Sequence, residues 1–428
     1  MYKNMTPRNR VIKTLNHETP DRLCVDLGAG GQTGIGASAL HKLNQALLPG
    51  CKSKVRIIEP FQMLGGVEEP LREKLQLDVV GVHGNSTLFG IKTENWKPFT
   101  MPDGIEVMVP GEFNYTRDEN GAYLIYPEGD ISVPPSAIMP ESGYFFDAIV
   151  RQEPIDEEKL DPKDNIDDFG ILSENELNYY AQTTRKFYEE TNYGIYVTLP
   201  GMAFGDIALV PATWRKQTKG IRDIREWYMS LIVRPGHIYQ VFEKQCEIAI
   251  KNVESMARAI GHYAQVVFVS GTDFGTQNGL FTDLDTYRSL FKPFQKAIND
   301  KIHELTEWKI FIHSCGAVYD LIPELIEAGF DILNPVQTSA VGMDAARLKN
   351  EFGKDLVFWG GGVDTQKTLP FGTPGEVYQE VRERIEIFSD GGGYVFNPIH
   401  NIQSNVPTEN ILAMFRAVND ARGIKSDF

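Results

Sequence analysis

Along this chain, short apolar runs alternate with longer stretches in which apolar residues recur every three or four positions. The runs are "RLCVDLG" (22–28), "VRIIEP" (55–60), "LDVVGVHG" (77–84), "GIYVTLPG" (194–201), "QVVFVSGTD" (265–273), "KIFIHSCG" (309–316), "DILNPVQ" (331–337), "LVFWGGGVD" (356–364) and "GYVFNPIH" (393–400). Such runs predict strands buried on both faces. Between them, residues 235–261, 319–329 and 374–393 carry helical spacing, each stretch stopped by glycine. Buried strands alternating with amphipathic helices predict a parallel sheet covered by helices. About eight such units in a chain of this length favour an α/β fold of the closed (β/α)8 kind, a TIM barrel. Nine runs are one too many for eight strands, and the pattern does not say which to remove.

One region breaks the alternation. From Trp96 to about Val150 the chain reads as β-hairpins, with Asp-Gly in "MPDGIEV" and Asn-Gly in "RDENGAYLIY" between β-formers. This predicts an insertion at 96–150, placed after the third strand, within one barrel domain spanning 1–428. The prolines of "VPPSAIMP" (133–140) are expected to form its rigid return, and the acidic stretch 153–168 a solvated linker or surface helix.

In a (β/α)8 barrel, chemistry sits at the C-terminal ends of the strands. The polar residues there are Asp26, Glu59, His83, Asp273, His313 with Cys315, Gln337, Asp364 and His400. Some of these, Glu59 and His83 first, are expected only to cap the following helix. His and Cys are poor N-caps, so His313, Cys315 and His400 call for another explanation. Residues i and i+2 of a strand point the same way, so His313 and Cys315 converge. Imidazole nitrogen and thiolate suit Zn²⁺, and His400 is the best candidate for a third ligand, leaving one position open for catalysis. The alternative is a buried cysteine beside a hydrogen-bonded histidine. The polar loop "SGTDFGTQNGLF" (270–281), with Asp273 and Asn278, and the glycine-rich "WGGGVDT" (359–365), with Gly361 and Asp364, are candidates for substrate contact. Asp26 and Gln337 complete that set, and Asp273 and His400 are the candidate proton carriers.

Composition narrows the partners. The net charge is −16, with 42 Lys and Arg against 58 Asp and Glu, which argues against nucleic acid or an anionic membrane surface. No run of 18 apolar residues is present, and the N-terminal "MYKNMTPRNRVIKTLNHE" lacks an apolar signal core. The four cysteines show no framework spacing. A reduced, cytoplasmic setting is expected, where a cysteine beside a histidine is a ligand or catalyst sooner than half a disulfide.

These residues resemble the uroporphyrinogen decarboxylase superfamily, which also contains zinc- and cobalamin-linked methyltransferases. "TPRNRVIKTLNHETPDRLCVD" looks like the family's opening helix and first strand, and "GLFTDLDTYRSLFKPFQKAINDKIHE" like its central helix. "FWGGGVDT" is similar to the decarboxylase's Gly-Asn-Leu-Asp-Pro segment. "YVFNPIHNIQSNVPTENILAMFRAV" is similar to its last strand and helix, with His400 at the decarboxylase's histidine. The decarboxylases carry an arginine-rich motif after the first strand, which holds a polycarboxylate. Here that place reads "DLGAGGQTG" (26–34), without arginine. "HSCG" instead resembles the methyltransferase zinc motif His-x-Cys-Gly. Those methyltransferases usually have a cysteine near the final strand, where this chain has "PIHN". The resemblance therefore carries over His313 and Cys315, and the third ligand falls to His400 or an acid such as Asp273.

The resemblance implies a zinc-dependent methyltransferase acting between a small methyl ether or methylamine and a corrinoid (cobalamin) protein. The chain has no Asp-x-His-x-x-Gly corrinoid signature, so the corrinoid is expected on a separate partner. Two other readings stand beside it: a metal-free, decarboxylase-type lyase acting on a small acid through Asp273 and His400, and a metal- or corrinoid-partner protein without chemistry of its own.

Overall fold

Eight short parallel strands form one curved sheet with helices between them. They are β1 (Cys24–Val25), β2 (Val79–Val82), β3 (Gly194–Thr198), β4 (Val266–Ser270), β5 (Lys309–His313), β6 (Ile332–Asn334), β7 (Val357–Trp359) and β8 (Tyr394–Phe396). This computed structural model describes residues 5–428. Neighbours run β1-β8-β7-β6-β5-β4-β3-β2, so the sheet follows chain order and returns to β1 from β8, as the (β/α)8 barrel requires.

The seam between β1 and β2 is not a regular ladder. Asp78, just before β2, donates its backbone N–H to the Val25 carbonyl at 2.8 Å, and its Oδ2 accepts the Val25 N–H at 2.9 Å. The fully buried Asp78 carboxylate is in turn held by Arg10 from the helix Pro7–Leu15 and by Arg422, 3.0 Å away, at the end of the helix Thr408–Ala421. A buried carboxylate is tolerated when it is ion-paired and hydrogen-bonded in this way.

Inside the barrel, alternate residues of the strands form a buried aromatic layer. Tyr196, Phe268, Phe311 and Trp359 meet there, with Phe311 edge-on to Tyr196 at 5.3 Å and to Trp359 at 5.5 Å. Two residues on from Phe311, and on the same face of β5, comes His313. Two on from Ile332 of β6 comes Asn334, its register partner. The strand period thus lifts polar side chains onto the top of an aromatic floor.

The ninth run, 55–60, is not a barrel strand. Ile57–Glu59 pairs antiparallel with Leu64–Gly65 in a hairpin outside the barrel. The β-rich insertion consequently follows the second barrel strand, not the third. It holds the hairpin Lys97–Thr100 with Glu106–Val109, and a four-stranded meander of Tyr115–Arg117, Tyr123–Ile125, Ala137–Met139 and Asp147–Ala148. Gly104 and Gly121 take positive φ (85° and 78°) at the Asp-Gly and Asn-Gly turns. The segment "SAIMP" supplies a meander strand and is not only a return. The acidic stretch 153–168 contains the short helix Lys163–Ile166, and its last residue, Asp168, is paired with Arg215 and Arg222.

Candidate metal centre at the barrel mouth

His313 ends β5, and Cys315 follows two residues on. The same-side geometry carries past the strand end, placing Cys315 Sγ 3.3 Å from His313 Nε2. Gly316 then takes φ +92°, and its α-carbon packs on the backbone of Gly275: a side chain there would begin 2.4 Å from the Gly275 carbonyl carbon. Only glycine fits, which accounts for the last letter of His-Ser-Cys-Gly.

His400 arrives from the loop after β8. Its ring stands edge-on to that of His313, centroids 5.2 Å apart, and one ligand atom from each of His313, Cys315 and His400 lies within 4.8 Å of the other two. His313 donates Nδ1–H to Asn334 Oδ1 at 2.5 Å, leaving the Nε2 lone pair directed toward the thiol. Asn334 is fixed by donating Nδ2–H to the Trp359 carbonyl at 2.7 Å. The His400 Nδ1 lone pair accepts the Asn401 N–H at 2.8 Å, so its proton sits on Nε2; holding a metal through Nε2 requires the other tautomer and the loss of that contact.

Burial drives the Cys315 thiol well above its ordinary pKa, and the nearby Asp273 charge adds to this. Burial also pushes His400 down to about 3, with the His313 charge contributing. A neutral imidazole is the ligand form, and a thiol that ionises only against a cation is the usual partner of a bound metal. The donor set of two imidazoles and one thiol fits Zn²⁺ with a position to spare.

Asp273 stands beside the trio. Its Oδ1 accepts the Cys315 N–H at 2.7 Å and lies 4.0 Å from His313 Nε2. Gln337 accepts the Gly316 N–H at 2.7 Å through Oε1, and its Nε2 makes no hydrogen bond among the described residues. Cys315, Gln337 and His400 line a cleft of about 430 Å³ that also takes in Gln277, Gln366 and Gln403; among the described residues, no lysine or arginine lines it.

Other expected contact residues lie apart from the cleft lining. Asp26 is buried below it, accepting from Trp359 Nε1 at 3.0 Å and from the Ala29 N–H at 3.1 Å, and burial raises its carboxyl to about 6. Asn278 is exposed in a turn, while its neighbour Gln277 reaches the cleft. Gly361 (φ +71°) packs against Val336 of the adjoining strand end, and Asp364 accepts the N–H groups of Gln366 and Lys367. Glu59 accepts the N–H groups of Phe61 and Gln62 in the turn of the Ile57–Gly65 hairpin, and the next helix starts only at Glu69, so it is not the helix cap expected of it. His83 meets Thr198 Oγ1 at 3.0 Å, and burial lowers it to about 4. Asn334 was not foreseen, although "LNPV" places an asparagine at a strand end among the signals already in view.

A family model described as uroporphyrinogen decarboxylase (URO-D) matches residues 138–421, which include β3 to β8 and all three members of the trio. The chain belongs to the uroporphyrinogen decarboxylase family. The match begins inside the meander, so the opening helix, β1 and β2 lie outside it. Among solved structures, a methyltransferase from Methanosarcina mazei shares the fold of this family member with a TM-score of 0.54 and 16% identity, over 97% of this chain and 99% of that one. No curated protein matches the chain. Among the described residues, no helix is long and apolar enough to cross a membrane.

Proposed function

We propose that this chain is a zinc-dependent methyltransferase that moves a methyl group between a small methyl ether or methylamine and a corrinoid carried by a separate protein. The observation that carries this reading is the convergence of His313, Cys315 and His400 on one point at the barrel mouth. The fold shared with a solved methyltransferase supports it. Zinc held by those three residues would supply Lewis acidity at the atom the methyl group leaves.

The chain's own residues do the rest. Asn334 holds the His313 proton on Nδ1 and frees Nε2. Asp273, within reach of both Cys315 and His313, is placed to hold a proton for the departing oxygen or nitrogen. Gln337 presents its free Nε2 to the cleft as a donor for substrate. A lining without basic side chains suits a small, weakly charged donor. Asn278, Gly361, Asp364 and Asp26 would then support the mouth and its floor without touching the substrate. The whole chain acts as one barrel unit in this proposal, in a cytoplasmic setting.

The test has two stages. Elemental analysis of purified protein should find zinc, and Cys315→Ala should lose most of it. Methyl ethers and methylamines are then offered with a cobalt(I) corrinoid protein while the cobalt spectrum is followed. Zinc-free wild-type protein, or no cobalt methylation by any donor, counts against the proposal.

The family match favours a second reading, a metal-free carboxy-lyase acting on a small acid through Asp273 and His400. Release of CO₂ from such an acid by metal-free protein would establish it instead.

A further inference from the structure

A second cavity, of about 240 Å³, opens on the mouth side of the barrel and shares no lining residue with the metal cleft. It lies between the loop that follows β3 and the helix Pro235–Ile260. Trp214, Trp227 and Phe242 supply aromatic walls, Trp227 and Phe242 lying 6.1 Å apart.

Two acceptors in this apolar space have no donor among the described residues. Gln245 is only 1% exposed, and its Nε2 donates to the carbonyls of Gly201 (3.0 Å) and Ala203 (3.1 Å). Both partners are acceptors, so the amide cannot be flipped, and Oε1 is left buried and unpaired. Asp206 is half-buried and accepts the Ala208 N–H through Oδ1 at 2.9 Å, while Oδ2 takes no hydrogen bond among the described residues and, unlike Gln245 Oε1, is not closed off from solvent. Arg222, the one basic residue on the lining among the described residues, is committed elsewhere: to Asp168 and to the carbonyls of Lys219 and Asp164.

We propose that this cavity binds a small protonated amine with a ring-sized apolar body, its N–H groups donating to Asp206 Oδ2 and Gln245 Oε1 and its body lying against Trp214, Trp227 and Phe242. A neutral hydrocarbon would leave the buried Gln245 Oε1 unpaired. An anion would face the Asp206 carboxylate with no free cation among the described lining residues to offset it. An ammonium group satisfies both acceptors, and aromatic faces favour its charge. The net charge of −16 draws cations toward the molecule as a whole.

The segment Gly271–Asp273 stands between this cavity and the metal centre. Asp206 Oδ2 lies 2.7 Å from where a side chain on Gly271 would begin, and Asp273 accepts the Cys315 N–H. The amine site is therefore separate from the cleft, and its existence does not depend on methyl transfer.

Benzylamine and benzyl alcohol, alike in shape and different in charge, are titrated into the purified protein near neutral pH. Binding is followed by tryptophan fluorescence, since Trp214 and Trp227 are two of five tryptophans, and by calorimetry. Benzylamine should bind saturably and about tenfold or more tighter than the alcohol. Asp206→Asn should remove most of that difference and leave the alcohol's affinity and the zinc content unchanged. Leu209→Trp, filling the cavity from the loop, should abolish binding of both. The proposal is overturned if benzylamine does not saturate, if the alcohol binds as well as the amine, or if Asp206→Asn retains full amine affinity. The methyl-transfer reading fails on different measurements, zinc content and the cobalt spectrum.

Discussion

His313 Nδ1 lies 2.5 Å from Asn334 Oδ1, its register partner on the adjacent strand, and this contact decides which nitrogen of the imidazole faces the barrel mouth. A histidine must present a lone pair to a metal, and it does so reliably only when its other nitrogen has somewhere to place a proton.

Asn334→Ala should therefore weaken zinc binding by about 10–100-fold without removing any ligand. Asn334→Asp keeps an acceptor in place and should hold the metal at least as well as the wild type. Chelator competition measures both. Equal affinity in the wild type and the alanine variant would show that the contact does not orient a ligand.

His400→Cys tests the identity of the third ligand. A thiolate there should complete a zinc site as well as the imidazole does, whereas His400→Ala should leave a two-residue site that loses its metal on dialysis. If the alanine variant keeps full zinc occupancy, His400 is a proton carrier and Asp273 becomes the ligand to examine.

The pH dependence of stability should carry a contribution from Asp26. Burial raises its folded-state pKa to about 6, above the ordinary carboxylate range. A group raised on folding binds its proton more tightly in the folded state, so its stabilising effect is complete below about pH 4 and lost as pH rises through about 6. The loss is on the order of 2–3 kcal/mol. Asp26→Asn should flatten the unfolding free energy across that window. Denaturant melts of both proteins at several pH values would show identical slopes if Asp26 does not carry the effect.

Asp78→Asn should destabilise the barrel by about 3–5 kcal/mol, because it leaves the buried Arg422 guanidinium without its counter-charge and Arg10 with Asp21 alone. Thermal or urea unfolding measures this. An unchanged midpoint would mean that the seam is held by the backbone contacts with Val25 alone.

Much of the barrel is written into single runs of sequence. "VVFVS" and "KIFIH" are buried along nearly their whole length, and their continuous apolar character follows from having helices outside and other strands inside. "VRIIEP" could have been separated from them by its alternation. Val55 and Ile57 are buried while Arg56 and Ile58 are exposed, the pattern of a strand with one wet face. At the mouth, His313 and Cys315 were legible together because their convergence depends only on the strand period. His400 was legible as the ionisable residue that closes the last apolar run, "GYVFNPIH". Asn334 was not legible as a partner of His313, since their pairing depends on the register between two strands 21 residues apart in sequence. The same limit applies to Gln245 and Asp206, whose unpaired oxygens are visible only once helix and loop are folded together.

The seam has a consequence for the order in which the molecule is made. Among the described residues the ladder partner of β1 is β8, and the Asp78 carboxylate beside it is gripped by Arg10 from the helix Pro7–Leu15 and Arg422 after the helix Thr408–Ala421. As the chain leaves the ribosome, β1 and β2 emerge early, yet they share only the stitch at Asp78 and Val25. The strand that pairs with β1 and the second arginine arrive more than three hundred residues later. Throughout synthesis the nascent barrel is thus an open, unsealed sheet with a half-neutralised acid at its edge, and ring closure waits for the final helix.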